Sequence, residues 1–103
     1  MKVSILGTTY TILSQEELKG DADGLCESYS KELVVKDFKE DSLSFNNLDE
    51  YRKKVLRHEI VHAFLHESGL AFNCEWAKNE ELVDWIALQF PKILKAFNDT
   101  KCL

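Results

Sequence analysis

The sequence is poor in the residues that break or cross-link a chain. Its 103 residues include four glycines, one proline and three cysteines. So little glycine and proline excludes a collagen-like chain and argues against a disordered one. The cysteines, Cys26, Cys74 and Cys102, are odd in number and form no CxxC pair. This pattern favours reduced thiols in a cytoplasmic protein over a disulfide framework or a thiolate metal site.

Long apolar runs and clustered positive charge are also missing. No run approaches the ~20 apolar residues of a membrane-spanning helix, and the opening MKVSILGTTY does not match a signal peptide. Thirteen basic and eighteen acidic residues give a net charge of −5, and the longest basic run is RKK at 52–54. The sequence therefore predicts neither nucleic acid nor a membrane as partner. With 45% hydrophobic and 30% charged residues, we expect one soluble cytoplasmic domain over residues 1–103.

The N-terminal third has the short alternating runs of strands. MKVSIL and TYTIL, around GTT, predict a hairpin or two adjacent strands. LCESYSKELVVKDF predicts a second pair that bends near Tyr29–Glu32. Between the two pairs, QEELKGDADG predicts a polar turn or a single helical turn.

From Asn47 the apolar period becomes helical. Asn47 and Glu50 resemble a capping box, and Gly69 is well placed to end the helix. The predicted buried stripe repeats at steps of three and four: Leu48, Tyr51, Val55, His58, His62 and Leu65.

A second helix is predicted from about Asn79, after GLAFNCEWA as a connecting loop. Pro91 is expected to kink or interrupt this helix. Its predicted apolar side consists of Leu82, Trp85, Ile86, Ile93, Leu94 and Phe97. The interface between the two helices is predicted to be aromatic, from Phe64, Phe72, Trp76, Trp85, Phe90 and Phe97. The expected fold is α+β: a small, mostly antiparallel sheet packed on the first helix, with the second helix behind.

All three histidines lie in RHEIVHAFLHE at 57–67. His58 and His62 are one turn apart on a helix face, so both imidazoles can reach one zinc ion at about 2.0–2.1 Å. Glu59 projects about a quarter-turn away, where its carboxylate can take a proton from the water that zinc activates. The alternative is a buried helix whose histidines bond to neighbouring backbone groups, which the HExxH pattern disfavours.

A third ligand is expected on the second helix, in NEELVDW at 79–85. Glu80 and Asp84 are four residues apart, so Glu80 can complete the metal sphere while Asp84 accepts the other ring N–H of His58. Glu81 is the alternative third ligand. His66 lies about 12 Å from His58 along a straight helix, too far to share one ion, and is predicted to touch substrate at the pocket rim or to lie at the surface.

HEIVH, followed about twenty residues later by NEELVD, resembles the glutamate zincins. The phrasing HEIVHAFLHESGL is similar to ImmA/IrrE-type metallopeptidases, small cytoplasmic enzymes, often encoded by phages or mobile elements, that cleave repressor proteins. The resemblance covers about residues 47–90. It implies a minimal zincin-like domain, His58, His62 and Glu80 as zinc ligands, and Glu59 as general base and acid. Asp84 departs from the family, which usually has Asn there.

The sequence thus predicts a zinc-dependent endopeptidase that acts on a protein or peptide, and the resemblance implies a repressor-type regulator as its substrate. A substrate strand is expected along the open edge of the sheet. Candidate oxyanion donors are His66 and the three tyrosines, Tyr10, Tyr29 and Tyr51. Manganese and iron stay open as metals, with zinc preferred for two histidines and one glutamate. The alternative function is a non-catalytic regulatory or protein-binding module on the same scaffold, against which the retention of Glu59 argues.

Overall fold

The computed structural model describes residues 1–38 and 48–103. The strands are β1 (Lys2–Ile5), β2 (Thr8–Gln15), β3 (Gly24–Glu27) and β4 (Glu32–Lys36). The helices are α1 (Leu48–Glu67), α2 (Leu70–Asn73) and α3 (Glu80–Asp99), with 3₁₀ turns at Lys19–Asp21 and Glu75–Lys78. The predicted α+β class, with its two strand pairs, is confirmed. Asn47, the predicted N-cap of the first helix, lies outside the described residues.

The four strands form one mixed sheet in the order β1-β2-β4-β3. Both sequential pairs are antiparallel, and the central pair β2 and β4 is parallel, with Leu13 opposite Val34. Leu6 and Gly7, both with positive φ, form the two-residue turn of the first hairpin, where such angles match the twist of the strands. This topology leaves β3 at one edge of the sheet, directly beside α1.

The core lies between the sheet and α1. Ile5, Tyr10 and Leu33 from three strands pack with Ala63 of α1, and all four are at most 1% exposed. At the end of the helix, Glu67 accepts hydrogen bonds from Tyr10 at 2.6 Å and from Lys31 at 2.8 Å. These contacts fix the C-terminal end of α1 on the sheet.

The buried row of α1 differs from the predicted stripe. Val55, Glu59 and Ala63, spaced four residues apart, are buried, whereas His58 and His62 lie half-buried on the flank of this row. The predicted stripe was chosen by its spacing of three and four residues, and spacing within a helix does not reveal which side packs on the sheet. The structure instead buries the glutamate.

Helix α1 ends as predicted, but the segment that follows it is not a plain loop. Gly69 has a φ of +83° and its N–H donates to the His66 carbonyl, which is the left-handed ending that glycine favours. The predicted connecting loop GLAFNCEWA contains α2 and most of the second 3₁₀ turn. No helix among the described residues is long and apolar enough to cross a bilayer.

Helix α3 starts at the predicted place and continues past Pro91, so the predicted interruption, one of the two alternatives at this proline, is wrong. Asn79 caps it by accepting a hydrogen bond from the Leu82 N–H at 2.8 Å. Proline cannot donate to the carbonyl four residues before it, here that of Ala87. Arg57 of α1 supplies that bond through its Nε, at 2.6 Å. A side chain from the neighbouring helix thereby satisfies the carbonyl that Pro91 leaves free.

The predicted aromatic interface between the helices is also wrong. Val83 and Ala87, both fully buried, face α1 from α3. The contact is therefore made by side chains smaller than the predicted aromatic rings. The six aromatic residues predicted there, Phe64, Phe72, Trp76, Trp85, Phe90 and Phe97, are between 40% and 70% exposed.

Candidate metal centre

Three side chains from two helices converge on one point beside the sheet. His58 Nε2 lies 3.0 Å from Glu80 Oε2, and His62 Nε2 lies 2.9 Å from Glu80 Oε1. The two imidazole Nε2 atoms are 3.1 Å apart. The group His58, His62 and Glu80 could hold a metal ion. Tetrahedral zinc with bonds of about 2.0–2.1 Å separates its ligand atoms by about 3.3 Å, so an outward shift of a few tenths of an ångström would accommodate it.

Helical spacing on α1 and the start of α3 bring these atoms together. The i, i+4 spacing stacks His58 over His62 on one flank of α1. Packing of Val83 against α1 turns the first residue of α3, Glu80, toward both rings. Glu81, about 100° further around the helix, is exposed and does not belong to the group.

Asp84 lies one turn after Glu80 and sets the orientation of His58. Its Oδ1 accepts from His58 Nδ1 at 3.1 Å and from Lys54 Nζ at 2.6 Å. Partial burial alone would raise the pKa of Asp84, but hydrogen bonds from Lys54 and His58 outweigh it and hold that pKa below its ordinary value. An ionised carboxylate only accepts, so this contact favours a proton on His58 Nδ1, and a metal ion at the group would then be met by the Nε2 lone pair.

His62 is also held in the form that metals require. Burial lowers its pKa, Glu80 opposes this effect, and the charges of His58 and His66 add to it. The imidazole is therefore neutral at neutral pH, with a lone pair available for coordination.

Glu59 is the one buried charged residue that the structure describes, at 6% exposure. It receives no hydrogen bond from the described part of the chain. Burial raises its pKa to about 7, the charge of His58 opposes the shift and Glu80 adds to it. A carboxyl whose pKa lies near neutrality can both take and return a proton at physiological pH.

Gly24, the first residue of β3, has no side chain and so leaves room for the buried carboxylate of Glu59. A Cβ on Gly24 would lie 2.8 Å from Glu59 Oε2 and 2.7 Å from Val55 Cγ1, closer than real side chains approach. The backbone of the edge strand therefore lies directly against the carboxylate. Any larger residue at position 24 must push β3 or Glu59 aside.

Two open clefts flank the group, and Gly24, Glu59 and Glu80 line both of them. One cleft, of about 230 Å³, is bordered by charged and phenolic side chains from Asp23, Tyr51, Lys54 and Asp84. The other, of about 250 Å³, is bordered by Leu25, Cys26, His62 and His66. The Glu80 side chain is 71% exposed, so solvent and solutes reach the group. Such access is typical of catalytic metal sites, which keep a coordination position open.

The remaining candidate residues divide between these clefts and the rest of the fold. His66 borders the second cleft, with its Nδ1 buried without a hydrogen-bond partner and its ring edge-on to Phe72. Tyr51 borders the first cleft and donates its hydroxyl to Asp23. Tyr10 is buried against Glu67, and Tyr29 is 97% exposed at the β3–β4 turn, so neither reaches the site.

Sequence reasoning missed Lys54 and Gly24. Lys54 lies four residues before His58 on the same helix face, a spacing from which its contact with the Asp84 pair could have been proposed. Gly24 gives no such signal, because its role depends on which strand packs against α1.

Comparison with known proteins adds no assignment: no family model matches the chain, and neither a curated protein nor a solved structure shows significant similarity to it.

Proposed function

We propose that the chain is a zinc-dependent endopeptidase of the ImmA/IrrE type, a minimal zincin-like domain. The observation that carries the proposal is the pairing of a three-ligand group with a buried carboxylate. His58, His62 and Glu80 would hold zinc, while Glu59 lies alongside without a hydrogen-bond partner among the described residues. A structural metal site has no use for such a carboxylate, and it usually has four protein ligands.

In this proposal, residues of the chain transfer the proton and hold the metal ligands in position. A zinc ion held there would polarise the scissile carbonyl and lower the pKa of the attacking water. Glu59 takes a proton from that water at a carboxylate oxygen. It then gives the proton to the amine nitrogen as the peptide C–N bond breaks. Asp84 keeps the His58 proton on Nδ1, and Lys54 holds Asp84 in place.

The edge strand offers a place for the substrate. β3 pairs only with β4 among the described strands, so its outer edge is free to add an extended peptide by main-chain hydrogen bonds. The two clefts on either side of Glu59 would then receive side chains from opposite sides of the scissile bond. A protein or peptide is the substrate class that this geometry suits, and a repressor-type regulator is the specific substrate that the resemblance implies.

Metal content is the first test, measured by plasma mass spectrometry on protein purified without a metal-affinity tag. We expect one zinc per chain in the wild type, in Glu59→Gln and in Glu81→Ala, and a large loss of zinc in Glu80→Ala. Glu81→Ala is the matched control, because it removes the neighbouring glutamate that does not belong to the group.

Cleavage of a peptide library, read by mass spectrometry, is the second test. The wild type loaded with zinc should cut peptides, whereas Glu59→Gln should bind zinc equally and cut at least about 100-fold more slowly, as expected for loss of a general base. Equal cleavage by both proteins would contradict the role of Glu59. A chain that binds zinc and cuts nothing would favour the non-catalytic module, and one that binds no metal would exclude the zinc enzyme.

A further inference from the structure

An apolar groove lies on the side of α1 away from the histidines. It has a volume of about 390 Å³ and shares no lining residue with the two clefts of the metal centre. Its walls are Ile60, Val61, Phe64 and Leu65 from α1 and Ile86, Ala87 and Phe90 from α3. Arg57, the one charged residue among the described residues that line it, is already bonded to the Ala87 carbonyl.

The second half of α3 continues from the groove as an apolar ridge. Phe90, Ile93, Leu94 and Phe97 recur at steps of three and four, so they share one helix face with Val83 and Ala87. The first half of that face packs on α1, but Phe90, Leu94 and Phe97 remain 37–47% exposed. The radius of gyration, 14.6 Å, exceeds the ~13 Å of a compact domain of this length, as a protruding helix would produce.

We propose that the groove and the ridge together form a self-association surface, in which a second copy of this chain inserts its ridge into the groove. A single apolar peptide in the groove would leave the ridge exposed. A second copy covers both, because each molecule carries both features and a two-fold arrangement uses them reciprocally.

The exposed area fits a weak dimer. Phe64, Phe90 and Phe97 are 42%, 47% and 40% exposed, which leaves roughly 260 Å² uncovered at ~200 Å² per aromatic side chain. This is about a third of the ~800 Å² that each partner buries in a standard interface. The groove walls, Ile93 and Leu94 add to it. Because a few buried aromatics carry most of the affinity of an interface, we expect a Kd on the order of 10–100 μM.

The charges along α3 favour an antiparallel arrangement. Its first turn carries Glu80 and Glu81, whereas residues 90–99 carry Lys92, Lys95 and Asp99, a net charge of +1, with Lys95 and Asp99 paired at 2.7 Å. Antiparallel pairing of two α3 helices points the basic half of each toward the acidic first turn of the other. This offsets the mutual repulsion of two chains that each carry a net charge of −5.

Sedimentation velocity of the full chain from about 5 to about 500 μM tests the proposal. The wild type should shift from the mass of one chain toward twice that mass. Phe97→Lys on the ridge and Phe64→Lys in the groove should each raise the Kd at least about tenfold. Trp85→Lys is the matched control. Trp85 is 54% exposed and lies about 140° around α3 from Phe90, so its replacement should change the Kd less than about twofold.

A mixing experiment tests the reciprocal seating itself. Phe64→Lys and Phe97→Glu should each self-associate poorly. A mixture of the two should form dimers at least about fivefold more tightly than either variant alone, because in the mixed dimer one contact is that of the wild type and the other brings the two opposite charges together. Circular dichroism and zinc content confirm that each variant is folded, since neither residue touches the metal centre. Any of three results would overturn the proposal. These are a wild type that stays monomeric at about 500 μM, a Trp85→Lys variant that raises the Kd as much as Phe97→Lys does, and a mixture that associates no more tightly than either of its components.

Discussion

The burial of Glu59 predicts an unusual dependence of stability on pH. The ordinary pKa of its carboxyl is 4.5, and burial raises it to about 7 in the fold. A carboxyl with a raised pKa contributes most to stability below pH 4.5, where it is protonated in both states. That contribution is lost as the pH rises through about 7, because the folded protein must then bury a charge.

The size of the effect follows from the shift. At 1.36 kcal/mol per pKa unit, the difference between 4.5 and 7 corresponds to about 3 kcal/mol. Water in the two clefts screens part of this, so we expect about 2 kcal/mol to be measurable. Glu59→Gln keeps the size of the side chain but cannot ionise. The variant should therefore gain about 2 kcal/mol of unfolding free energy relative to the wild type between pH 5 and pH 8.

The assay is urea denaturation of metal-free protein at several pH values, followed by circular dichroism. A chelator is present throughout, because a bound cation would favour the ionised carboxylate and mask the shift. The lowered pKa of His62 changes stability in the opposite direction, but it does so in both proteins and cancels in the difference. Glu81→Gln, at an exposed helical position, should run parallel to the wild type. If Glu59→Gln also runs parallel to it, Glu59 is not desolvated as the structure indicates.

Two further predictions concern residues that support the site. Arg57→Met should lower the unfolding free energy, measured by urea denaturation, by about 2 kcal/mol, because it leaves the partly buried carbonyl of Ala87 unpaired. In a Pro91→Ala background residue 91 regains its N–H, so there the same change should cost less than about 1 kcal/mol. Equal costs in the two backgrounds would refute the compensation of Pro91 by Arg57. Gly24→Ala should destabilise the fold by about 1–3 kcal/mol and slow cleavage, while the zinc content stays at one per chain. A Gly24→Ala variant with unchanged stability and cleavage would show that β3 does not hold Glu59 in place.

Signals confined to a few consecutive residues predicted the fold well. The strand pairs, the end of α1 at Gly69 and the start of α3 at Asn79 depend on turn, cap and propensity rules that act within one element. The errors concern contacts between elements. The carbonyl that Pro91 leaves free in α3 is satisfied by Arg57 from α1, a contact that the sequence of α3 alone does not show. The prediction of an aromatic interface was wrong because hydrophobicity alone does not reveal that Val83, and not the larger rings, packs against α1.

At the candidate metal centre, too, contacts within one helix could be predicted from the sequence and contacts between helices could not. HExxH places His58 and His62 together by helix geometry alone, so no knowledge of the tertiary structure is needed. The choice between Glu80 and Glu81 depends on how α3 is rotated about its own axis relative to α1. Residue spacing within α3 could favour one glutamate but could not decide between the two. Here the cap at Asn79 fixes where α3 begins, and the packing of its small residues on α1 fixes which side faces the histidines.

Glu59 is the residue whose environment most clearly conflicts with rules of stability. It occupies the buried row of α1 between Val55 and Ala63, where a leucine would stabilise the fold, and it receives no hydrogen bond from the described residues. Gly24 adds to the conflict, since its lack of a side chain accommodates the carboxylate and weakens an already short edge strand. Two unfavourable choices on different elements thus serve the same carboxyl group. Stability does not account for them, whereas the proposed proton transfer beside a metal would, because it requires a carboxyl that is desolvated, unpaired and held within reach of the reacting water.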